Sequence, residues 1–442
     1  MDDGQSGVTD PPPEGEERLA FWPLTDVGKV RDHNEDSFLV DKKLNLFIVA
    51  DGMGGHAAGE VASQVACHTV REVLKQQADM LHEFESGQGT SRHDILRLLE
   101  TAVQQACSRI YEQGQKDETK RGMGTTIDAL VLIGTRGFIA HVGDSRVYLY
   151  RQGAVHQLTE DHSLINELLK RGRLSREQID RLQYKNAVTR AVGVYESVEV
   201  DTLDFDVLKG DRFLLCSDGL SGYLDEAELA RIFAETPEDG LSQRLIDLAN
   251  ERGGKDNITA VVIKVPDAES GVDRLAREVN LKMEVLHKMP LFRHLTYQEL
   301  VRVLNITEVK QYDTDNAVVE EGDEGDKLFI VLTGSVRVHS GEAIFTHLGP
   351  GQHFGEMALV DKAPRSASVS AAAPSKLLAI RRRDFFDIIR KDHAIAVKLL
   401  WSFLGVLTQR LRTTNMQLGE AKERRMDSES AELTNALLAD HE

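Results

Sequence analysis

The feature that most constrains this chain is an apolar run that ends in an acid and then in glycines, at residues 49–56 (Val-Ala-Asp-Gly-Met-Gly-Gly-His). The run 44–50 predicts a buried β-strand, and Asp51 stands directly after it. An ionised carboxylate is costly to bury unless it is paired. Any fold that buries this strand must therefore bring partners to Asp51 from elsewhere in the chain.

Composition narrows the class of protein. The chain has 442 residues, enough for two or more domains, and its formal net charge of −19 argues against a general nucleic-acid or anionic-membrane binder. The N-terminus does not resemble a signal peptide, and no apolar run approaches the ~18 residues of a membrane span. The three cysteines are scattered and predict neither disulfides nor a zinc site. We therefore expect a cytoplasmic protein without nucleic-acid or membrane partners.

Two parts of the chain have different sequence patterns, and together they predict an α+β protein. In the first part, short apolar runs alternate with amphipathic stretches at 59–78 and 95–116, which favours mostly antiparallel sheet covered by helices. Residues 317–380 are punctuated by glycines, as in a small β-barrel or jelly roll, and 383–412 predict an apolar helix. The predicted segments are a disordered arm at 1–17, a first domain at 18–265, a helical linker at 266–289, a second domain at 290–412 and a polar tail at 413–442. The predicted strands of the first domain are 36–40, 44–50, 126–133, 137–142, 146–150, 212–216 and 258–265.

Acids recur beside the apolar runs of the first domain. They are Asp51, Asp144, Asp218 and Asp256, with Glu35 and Asp36 at the start of another run. Carboxylates that converge at strand ends repel one another unless cations pair with them, and few lysines or arginines lie within these motifs. Oxygen-only ligands favour Mg²⁺ or Mn²⁺. The alternative is that each aspartate only caps a turn.

Six motifs follow one another in the first domain. They are Arg31-Asp32-His33-Asn34-Glu35-Asp36, Asp51-Gly52-Met53-Gly54-Gly55, Gly122-Met123-Gly124-Thr125-Thr126, His141-Val142-Gly143-Asp144-Ser145-Arg146, Ser217-Asp218-Gly219-Leu220 and Asp256-Asn257. In this order they resemble the motifs of the metal-dependent type 2C protein serine/threonine phosphatases, in their bacterial form. The resemblance implies an αββα sandwich with a metal cluster at one edge of its two sheets, and phosphoserine or phosphothreonine proteins as substrates.

The resemblance also implies a role for each acid. Asp51 bridges two metals, to which Gly52 contributes its carbonyl, and Asp218 and Asp256 bind the second metal. Glu35 and Asp36 act through water on the metals, Asp144 matches a third, weaker metal site, and Arg31 clamps the substrate phosphate. The implied catalytic residues are thus Arg31, Asp51 and Asp218, with two or three Mn²⁺ or Mg²⁺ ions as cofactors.

Two features of the first domain qualify this resemblance. Many eukaryotic relatives carry a histidine, proposed as the general acid, where this chain has Met53, so the leaving oxygen must be protonated by another group. His56 is nearby in sequence but is not assigned that role.

Residues 159–188, which we call the flap, form a polar insertion that resembles the segment beside the active site in this family. The flap carries His162, Arg171, Arg173 and Arg176 and either contacts substrate or is a solvated excursion.

A second group of residues predicts an anion pocket. Phe354-Gly355-Glu356-Met357-Ala358-Leu359 is followed by Pro364-Arg365-Ser366-Ala367-Ser368-Val369. A turn of helix after Gly355 offers N–H groups to an anion, and Arg365 offers a charged partner. The alternative is an internal ion pair between Glu356 and Arg365 in a purely structural barrel.

With the surrounding glycines, residues 290–412 resemble a cyclic nucleotide-binding domain. The resemblance implies that Glu356 binds the ribose 2′-hydroxyl and Arg365 the cyclic phosphate, while Gly355, Met357, Ala358 and Ala367 line the cassette. Ser366 stands where cyclic-AMP domains often have alanine and some cyclic-GMP domains threonine, and cyclic AMP is slightly favoured over cyclic GMP as the effector. No helix-turn-helix pattern follows the barrel, which argues against a transcription factor.

These two resemblances suggest a phosphatase regulated by a cyclic nucleotide. We expect nucleotide binding to reposition the helices between the domains and to change the phosphatase rate. The apolar helix at 383–412 is expected to cover the bound base or to form a homodimer interface, and ordinary packing on the barrel is the alternative. Three other functions stay open: a non-catalytic nucleotide-binding scaffold, a phosphatase whose sensor domain binds no nucleotide, and a hydrolase of non-protein phosphate esters.

Overall fold

The computed structural model describes residues 19–54, 58–170, 187–267, 274–361 and 363–439. They divide into two compact units, Met1–Val279 and Asn280–Glu442, which we call the first and second units. The division falls within a helix, α8 (Arg274–Lys288), that lies largely in the segment predicted as the linker.

The first unit contains two antiparallel sheets. Its strands are β1 Ala20–Asp26, β2 Asp36–Asp41, β3 Leu46–Met53, β4 Gly124–Thr125, β5 Ile127–Ile133, β6 Arg136–Val142, β7 Arg146–Arg151, β8 Ala154–Gln157, β9 Asp201–Asp206, β10 Arg212–Cys216 and β11 Ile258–Lys264. One sheet has the order β1-β11-β10-β7-β8, and the other has the order β2-β3-β5-β6-β9, with β4 paired to β3. Phe21 of β1 and Phe47 of β3 meet edge-to-face with their ring centroids 5.7 Å apart, which places the two sheets face to face.

Helices cover the outer faces of both sheets. They are α1 Ala58–Gln76, α2 Ala78–Glu85, α3 Arg92–Lys116, α4 Leu164–Lys170, α5 Asp218–Ser221, α6 Glu226–Glu235 and α7 Glu238–Glu251. Leu46, Ile48 and Ala50 of β3 pack with α1 and α3, while Leu214 of β10 packs with α6 and α7. The predicted αββα sandwich is confirmed, and residues Leu46–Ala50 of β3 are all apolar because both faces of the strand are buried there.

The second unit is a β-roll flanked by helices. Its strands are β12 Thr307–Tyr312, β13 Ala317–Val319, β14 Lys327–Thr333, β15 Val336–Ser340, β16 Ala343–Leu348, β17 His353–Phe354, β18 Ser368–Ala371 and β19 Ser375–Arg381. They form two four-stranded antiparallel sheets, β12-β19-β14-β17 and β13-β18-β15-β16, which share a core that includes Phe329, Val336 and Val369. The helices are α9 Tyr297–Asn305, α10 Met357–Val360, α11 Arg382–Lys391 and α12 His393–Ala439. The predicted β-roll is therefore confirmed.

The C-terminal helix differs from its prediction. The single helix expected at 383–412 is two helices, because the chain breaks at Asp392, whose carboxylate accepts the N–H groups of Ala394 and Ile395 at the start of α12. The segment predicted as a polar tail continues α12 as far as Ala439.

A stretch of α12 also differs from the expectation that no apolar segment approaches the length of a membrane span. Residues His393–Glu420 are long and apolar enough to cross a membrane by length and composition, with a mean hydropathy of 1.3. The core helix of a soluble protein passes the same test, and Ile395, Leu399 and Phe403 of α12 are buried in the core of the second unit.

Candidate metal centre and anion pocket

Asp36 and Asp51 face each other across neighbouring strands. They are register partners in the antiparallel pair of β2 and β3. Asp51 lies inside β3 rather than after its end, because Gly52 and Met53 continue the strand by pairing with β4. Burial and the neighbouring Asp36, Asp218, Asp144 and Asp256 carboxylates hold the pKa of Asp51 well above its usual range. The first predicted acids are thus brought together in a buried place.

Asp36 is held by hydroxyl groups from the other sheet. The Ser217 and Thr259 hydroxyls donate to Asp36 Oδ2 at 2.7 and 2.6 Å. Asp36 Oδ1 is buried and has no hydrogen-bond partner. Burial raises the pKa of Asp36 to about 7, although the two hydroxyls act in the opposite direction. These two hydroxyl residues had no role in the sequence analysis, and their contact with Asp36 links the two sheets at the candidate site.

Asp218 and Asp256 approach the same place from the ends of β10 and β11. Asp218 is the first residue of α5, directly after Ser217, and its carboxylate is one of those that raise the pKa of Asp51. Asp256 stands in the turn before β11. Burial, together with the Asp256 carboxylate, raises the pKa of Asp218. A charge at Asp218 therefore also needs a cation.

Asp144 is the fifth predicted acid of this cluster. It lies in the loop between β6 and β7, and its side chain is buried. Burial, with the Asp218 and Asp161 carboxylates, raises the pKa of Asp144 to about 7. The four aspartates of the apolar runs and Asp36 thus form one electrostatic cluster, as predicted from their positions.

Glu35 is fixed by Asn257, a residue whose role could not be read from the sequence. The Glu35 N–H donates to Asn257 Oδ1 at 2.8 Å, and Asn257 Nδ2 donates to the Val27 and His33 carbonyls. Glu35 Oε1 is buried without a hydrogen-bond partner, and His33 Nε2 lies 3.4 Å from it. The only signal for Asn257 was its position next to Asp256.

Gly52 sits where a side chain has no room. A Cβ there would lie 2.2 Å from the Gly59 carbonyl oxygen and 2.5 Å from the Glu35 carbonyl oxygen. The Gly52 N–H also donates to the Glu35 carbonyl at 3.2 Å. Glycine is therefore required for β3 to pass the start of α1 this closely.

The donor set fits a hard divalent cation. Two buried carboxylate oxygens without partners, on Glu35 and Asp36, lie among carboxylates that repel one another. Oxygen ligands of this kind suit Mg²⁺ or Mn²⁺. Within the described residues, no group of three or more His, Cys, Asp or Glu side chains is already arranged to hold a metal ion.

Arg31 lies at the exposed side of the acid cluster. Its side chain is 47% exposed, and its Nη2 donates to Asp256 Oδ2 at 2.7 Å. Glu35 lies 4.0 Å from its Nη1. A half-exposed guanidinium fork beside the acids is suitably placed to meet a phosphate from solvent.

The flap is only partly within the described residues. His162 is buried at its start, whereas Arg171, Arg173 and Arg176 lie outside the described residues, as does His56 of the glycine loop. Whether the arginines contact substrate stays a prediction.

The second unit contains a cavity of about 320 Å³ at the predicted anion pocket. Its lining includes all seven predicted residues: Gly355, Glu356, Met357, Ala358, Arg365, Ser366 and Ala367. Val319, Val338, Leu348 and Val369 add an apolar wall. An apolar cavity with a few converging polar groups is the usual form of a small-molecule site.

Arg365 and Glu356 are two of the charged residues that line this cavity, with Asp361. Glu356 is buried, and Arg365 Nη2 donates to the Lys327 carbonyl at 2.9 Å. Burial lowers the pKa of Arg365, and the Asp326, Glu356 and Asp323 carboxylates oppose that shift. Gly355 has φ +76°, and a Cβ there would lie 2.4 Å from Arg365 Nη1, so glycine lets the backbone approach the guanidinium.

Comparison with known proteins agrees with both domain resemblances. A family model described as Protein phosphatase 2C matches residues 29–249, and one described as Cyclic nucleotide-binding domain matches residues 309–392. The serine/threonine phosphatase stp of Listeria innocua is 38% identical over 255 residues, which cover 56% of this chain and 97% of that protein. Protein phosphatase PhpP of Streptococcus pneumoniae is 36% identical over 254 residues, with 56% and 98% covered. The solved S. agalactiae serine/threonine phosphatase is 37% identical, with a TM-score of 0.50 and 56% and 99% covered.

Proposed function

The chain belongs to the protein phosphatase 2C family and is a serine/threonine phosphatase of that type, and we propose that a cyclic nucleotide bound in its second unit regulates its rate. The observation that carries the regulatory proposal is the cavity of about 320 Å³ that brings Arg365 and Glu356 together within a segment matched by the cyclic nucleotide-binding model. The sign of the regulation is left open by the sequence and the structure.

The proposed metal ligands are the acids described above. Asp51, Asp218 and Asp256, with the Gly52 carbonyl, would hold two Mn²⁺ or Mg²⁺ ions; Glu35 and Asp36 would support them, and Asp144 would hold a third. Such ions supply a water molecule of lowered pKa as the nucleophile for attack on phosphorus. The side chains of the protein supply the other two roles. Arg31 orients the phosphate with its guanidinium fork, and the Ser217 and Thr259 hydroxyls hold Asp36 in place.

The proposed effector is a cyclic nucleotide, with cyclic AMP slightly favoured over cyclic GMP. Arg365 would bind the cyclic phosphate, Glu356 the ribose hydroxyl, and the apolar wall the base. Ser366 lines the cavity, where its hydroxyl would serve a guanine amino group, so cyclic GMP is the competing ligand. Coupling of ~1–3 kcal/mol between the two sites would suffice for regulation.

Direct titration tests the nucleotide proposal. The full chain is titrated calorimetrically with cyclic AMP and with cyclic GMP, and Arg365→Ala is expected to weaken binding by about 2–5 kcal/mol because the cyclic phosphate loses its charged partner. Absence of binding to either nucleotide would contradict the proposal and leave a sensor domain for another ligand.

The substrate class needs a separate assay. Phosphoserine and phosphothreonine peptides are compared with small phosphate esters in the presence of Mn²⁺. We expect the peptides to have the higher kcat/KM, since the phosphatases stp and PhpP are similar to this chain. Preference for a small ester would instead favour a non-protein substrate.

We also propose that the protein forms a homodimer through α12. Val397, Leu400, Leu404, Leu407 and Leu411 follow the alternating three- and four-residue spacing of a coiled-coil seam, and Leu418 lies one heptad further on. Each of these six side chains is between 39% and 63% exposed. The opposite face, with Ile395, Leu399 and Phe403, is buried in the second unit. A seam of this spacing matches a second copy of itself about a two-fold axis.

The location of the protein is proposed from its thiols. Cys67, Cys107 and Cys216 are free and buried, as expected in a reducing compartment. This supports the cytoplasmic location predicted above, where phosphoproteins would be its partners.

A further inference from the structure

His162 holds together three segments of the first unit. These segments are the start of the flap, the end of the flap and the loop that carries Asp144. The His162 side chain is 7% exposed, so it acts inside the protein rather than on substrate. Two sets of hydrogen bonds of ordinary length connect these segments.

The first connection fixes Gly143, the residue before Asp144. The His162 N–H donates to the Gly143 carbonyl at 2.7 Å, and the Gly143 N–H donates to His162 Nδ1 at 3.1 Å. Gly143 has φ +116°, and a Cβ there would lie 2.5 Å from Thr126 Cβ. The loop therefore follows a path that glycine alone can take, and the imidazole accepts its buried N–H.

The second connection closes the base of the flap. The Thr189 N–H donates to the His162 carbonyl at 2.7 Å, and the Leu164 N–H donates to the Ala187 carbonyl at 2.9 Å. Ser163 and Val188 form a β-bridge between these bonds. The two ends of the flap are thus tied at the residue that also holds Gly143.

The surroundings of His162 select one form of the imidazole. Because Nδ1 accepts from Gly143, the proton resides on Nε2, which lies 3.3 Å from Asp201 Oδ2. Arg190 lies 3.2 Å from Nε2 and 2.9 Å from Asp201, and the His141 ring packs 4.7 Å from the His162 ring. Burial, with His141 and Arg190, lowers the pKa of His162, although Asp201 opposes this shift. A neutral ring with an accepting Nδ1 is therefore favoured.

The network continues from this loop to the metal centre. The hydroxyls of Ser145 and Thr126 are hydrogen-bonded at 2.7 Å, and Thr126 Oγ1 accepts the Asp51 N–H at 2.9 Å. Ser145 follows Asp144 directly. A displacement of the Gly143 loop would therefore reach both Asp144 and Asp51.

We propose that His162 is a positioning residue that makes the base of the flap and the Asp144 loop move as one body. In this arrangement a divalent cation held at Asp144 and an ordered flap base favour each other, and the His162 Nδ1 acceptor is the link. The inference rests on the proposed metal role of Asp144, and its link to the flap does not depend on nucleotide binding.

Two amide variants test which imidazole nitrogen matters. In His162→Asn the side-chain oxygen takes the place of Nδ1, whereas in His162→Gln the amide takes the place of Nε2. Hydrogen exchange is followed at Gly143 and Thr189 in the full chain, with and without Mn²⁺, and the Mn²⁺ concentration for half-maximal turnover is measured. In the wild type, Mn²⁺ should slow exchange at both amides together. His162→Gln should speed exchange at Gly143 and raise the Mn²⁺ requirement, each about tenfold, because a buried N–H has lost its acceptor.

Two control variants, His162→Asn and His68→Gln, should behave much like the wild type. His162→Asn should stay within about threefold of the wild type, and so should His68→Gln, at an exposed position on α1. The proposal is overturned if folded His162→Gln keeps the wild-type Mn²⁺ requirement, or if Mn²⁺ still protects Gly143 and Thr189 together in that variant. It is also overturned if the Asn variant behaves like the Gln variant.

Discussion

Arg31 Nη2 donates a hydrogen bond to Asp256 Oδ2 at 2.7 Å, so the proposed phosphate clamp and a proposed metal ligand are in direct contact. The Arg31 side chain is half-exposed, and its other terminal nitrogen, Nη1, lies 4.0 Å from Glu35 Oε2. If Asp256 holds a cation, Arg31 would lose this partner and its fork would be free to bind phosphate. Occupancy of the metal centre would thus also prepare the phosphate site.

Arg31→Ala is expected to lower kcat/KM for a phosphopeptide by about 10²-fold, because the donor that stabilises the phosphate in the transition state is lost. Arg31→Lys keeps the charge without the fork and should recover only part of the rate. Arg244→Ala is the control, since Arg244 has a similar exposure, 49% against 47% for Arg31, and lies on α7. Equal rates for wild type and Arg31→Ala would show that Arg31 does not meet the phosphate.

Asp218→Asn is expected to abolish Mn²⁺-dependent hydrolysis, since Asp218 shares its buried site with Asp51 and removal of its charge weakens metal binding. Calorimetric titration with Mn²⁺ should show the loss of binding independently of turnover. Asp239→Asn, at an exposed position on α7, provides the matched control. Retention of metal-dependent activity by Asp218→Asn would make the site assignment wrong.

The buried pair of His141 and Asp128 predicts a pH-dependent contribution to the stability of the first unit. Burial disfavours the imidazolium, but Asp128 at 2.7 Å outweighs it, and the pKa of His141 is raised. A histidine with a raised pKa in the folded state contributes stability that is complete below its unfolded value, about 6.5, and is lost as the pH rises through the folded value. Asp128→Asn should therefore destabilise by about 2 kcal/mol at pH 6 and by less at pH 9.

Urea unfolding can isolate this effect. The chain has two tryptophans, Trp22 in the first unit and Trp401 in the second. Trp401 is 70% exposed, so a Trp401→Phe background leaves Trp22 to report on the first unit alone. An equal loss of stability at pH 6 and pH 9 would contradict an ion pair at His141.

The seam on α12 predicts a dimer in solution. Leu404→Asp and Leu411→Asp each place a charge at the centre of the seam and should convert the protein to a monomer in size-exclusion chromatography with light scattering. Phe345→Asp is the control, because Phe345 is 61% exposed but lies on β16, away from the seam. A wild-type protein that is monomeric in solution would argue against a dimer through this seam. The same conclusion would follow if the protein bound lipid vesicles through α12 and the Asp variants abolished that binding.

The sequence predicted the interior of the fold better than its edges. The predicted strand 212–216 agrees with β10 at both ends, and the predicted strand 126–133 begins one residue before β5 and ends with it. Apart from the two-residue β4, the strands of the first unit that were left out, β1, β8 and β9, are all edge strands of their sheets. β1 contains Pro23 and β9 alternates with acids, features that edge strands tolerate and that weaken the apolar signal.

The candidate metal centre was also only partly predictable from the sequence. The acids were predictable because each stands beside an apolar run, and the structure brings Asp36, Asp51, Asp144, Asp218 and Asp256 into one electrostatic cluster. The roles of Thr259, Asn257 and His162 depend on contacts with residues distant in sequence, such as Thr259 with Asp36. Hydroxyl, amide and imidazole groups occur throughout any chain, so their partners become visible only when the tertiary structure brings the segments together.

Regulation of the phosphatase by the pocket around Arg365 can be measured in a single assay. The rate of phosphopeptide hydrolysis with Mn²⁺ is compared with and without saturating cyclic AMP or cyclic GMP, in the wild type and in Arg365→Ala. We expect at least one nucleotide to change the wild-type rate about 5- to 150-fold, in either direction, while Arg365→Ala keeps the nucleotide-free rate and does not respond. A wild-type rate that stays the same at saturating nucleotide would show that the pocket does not regulate hydrolysis.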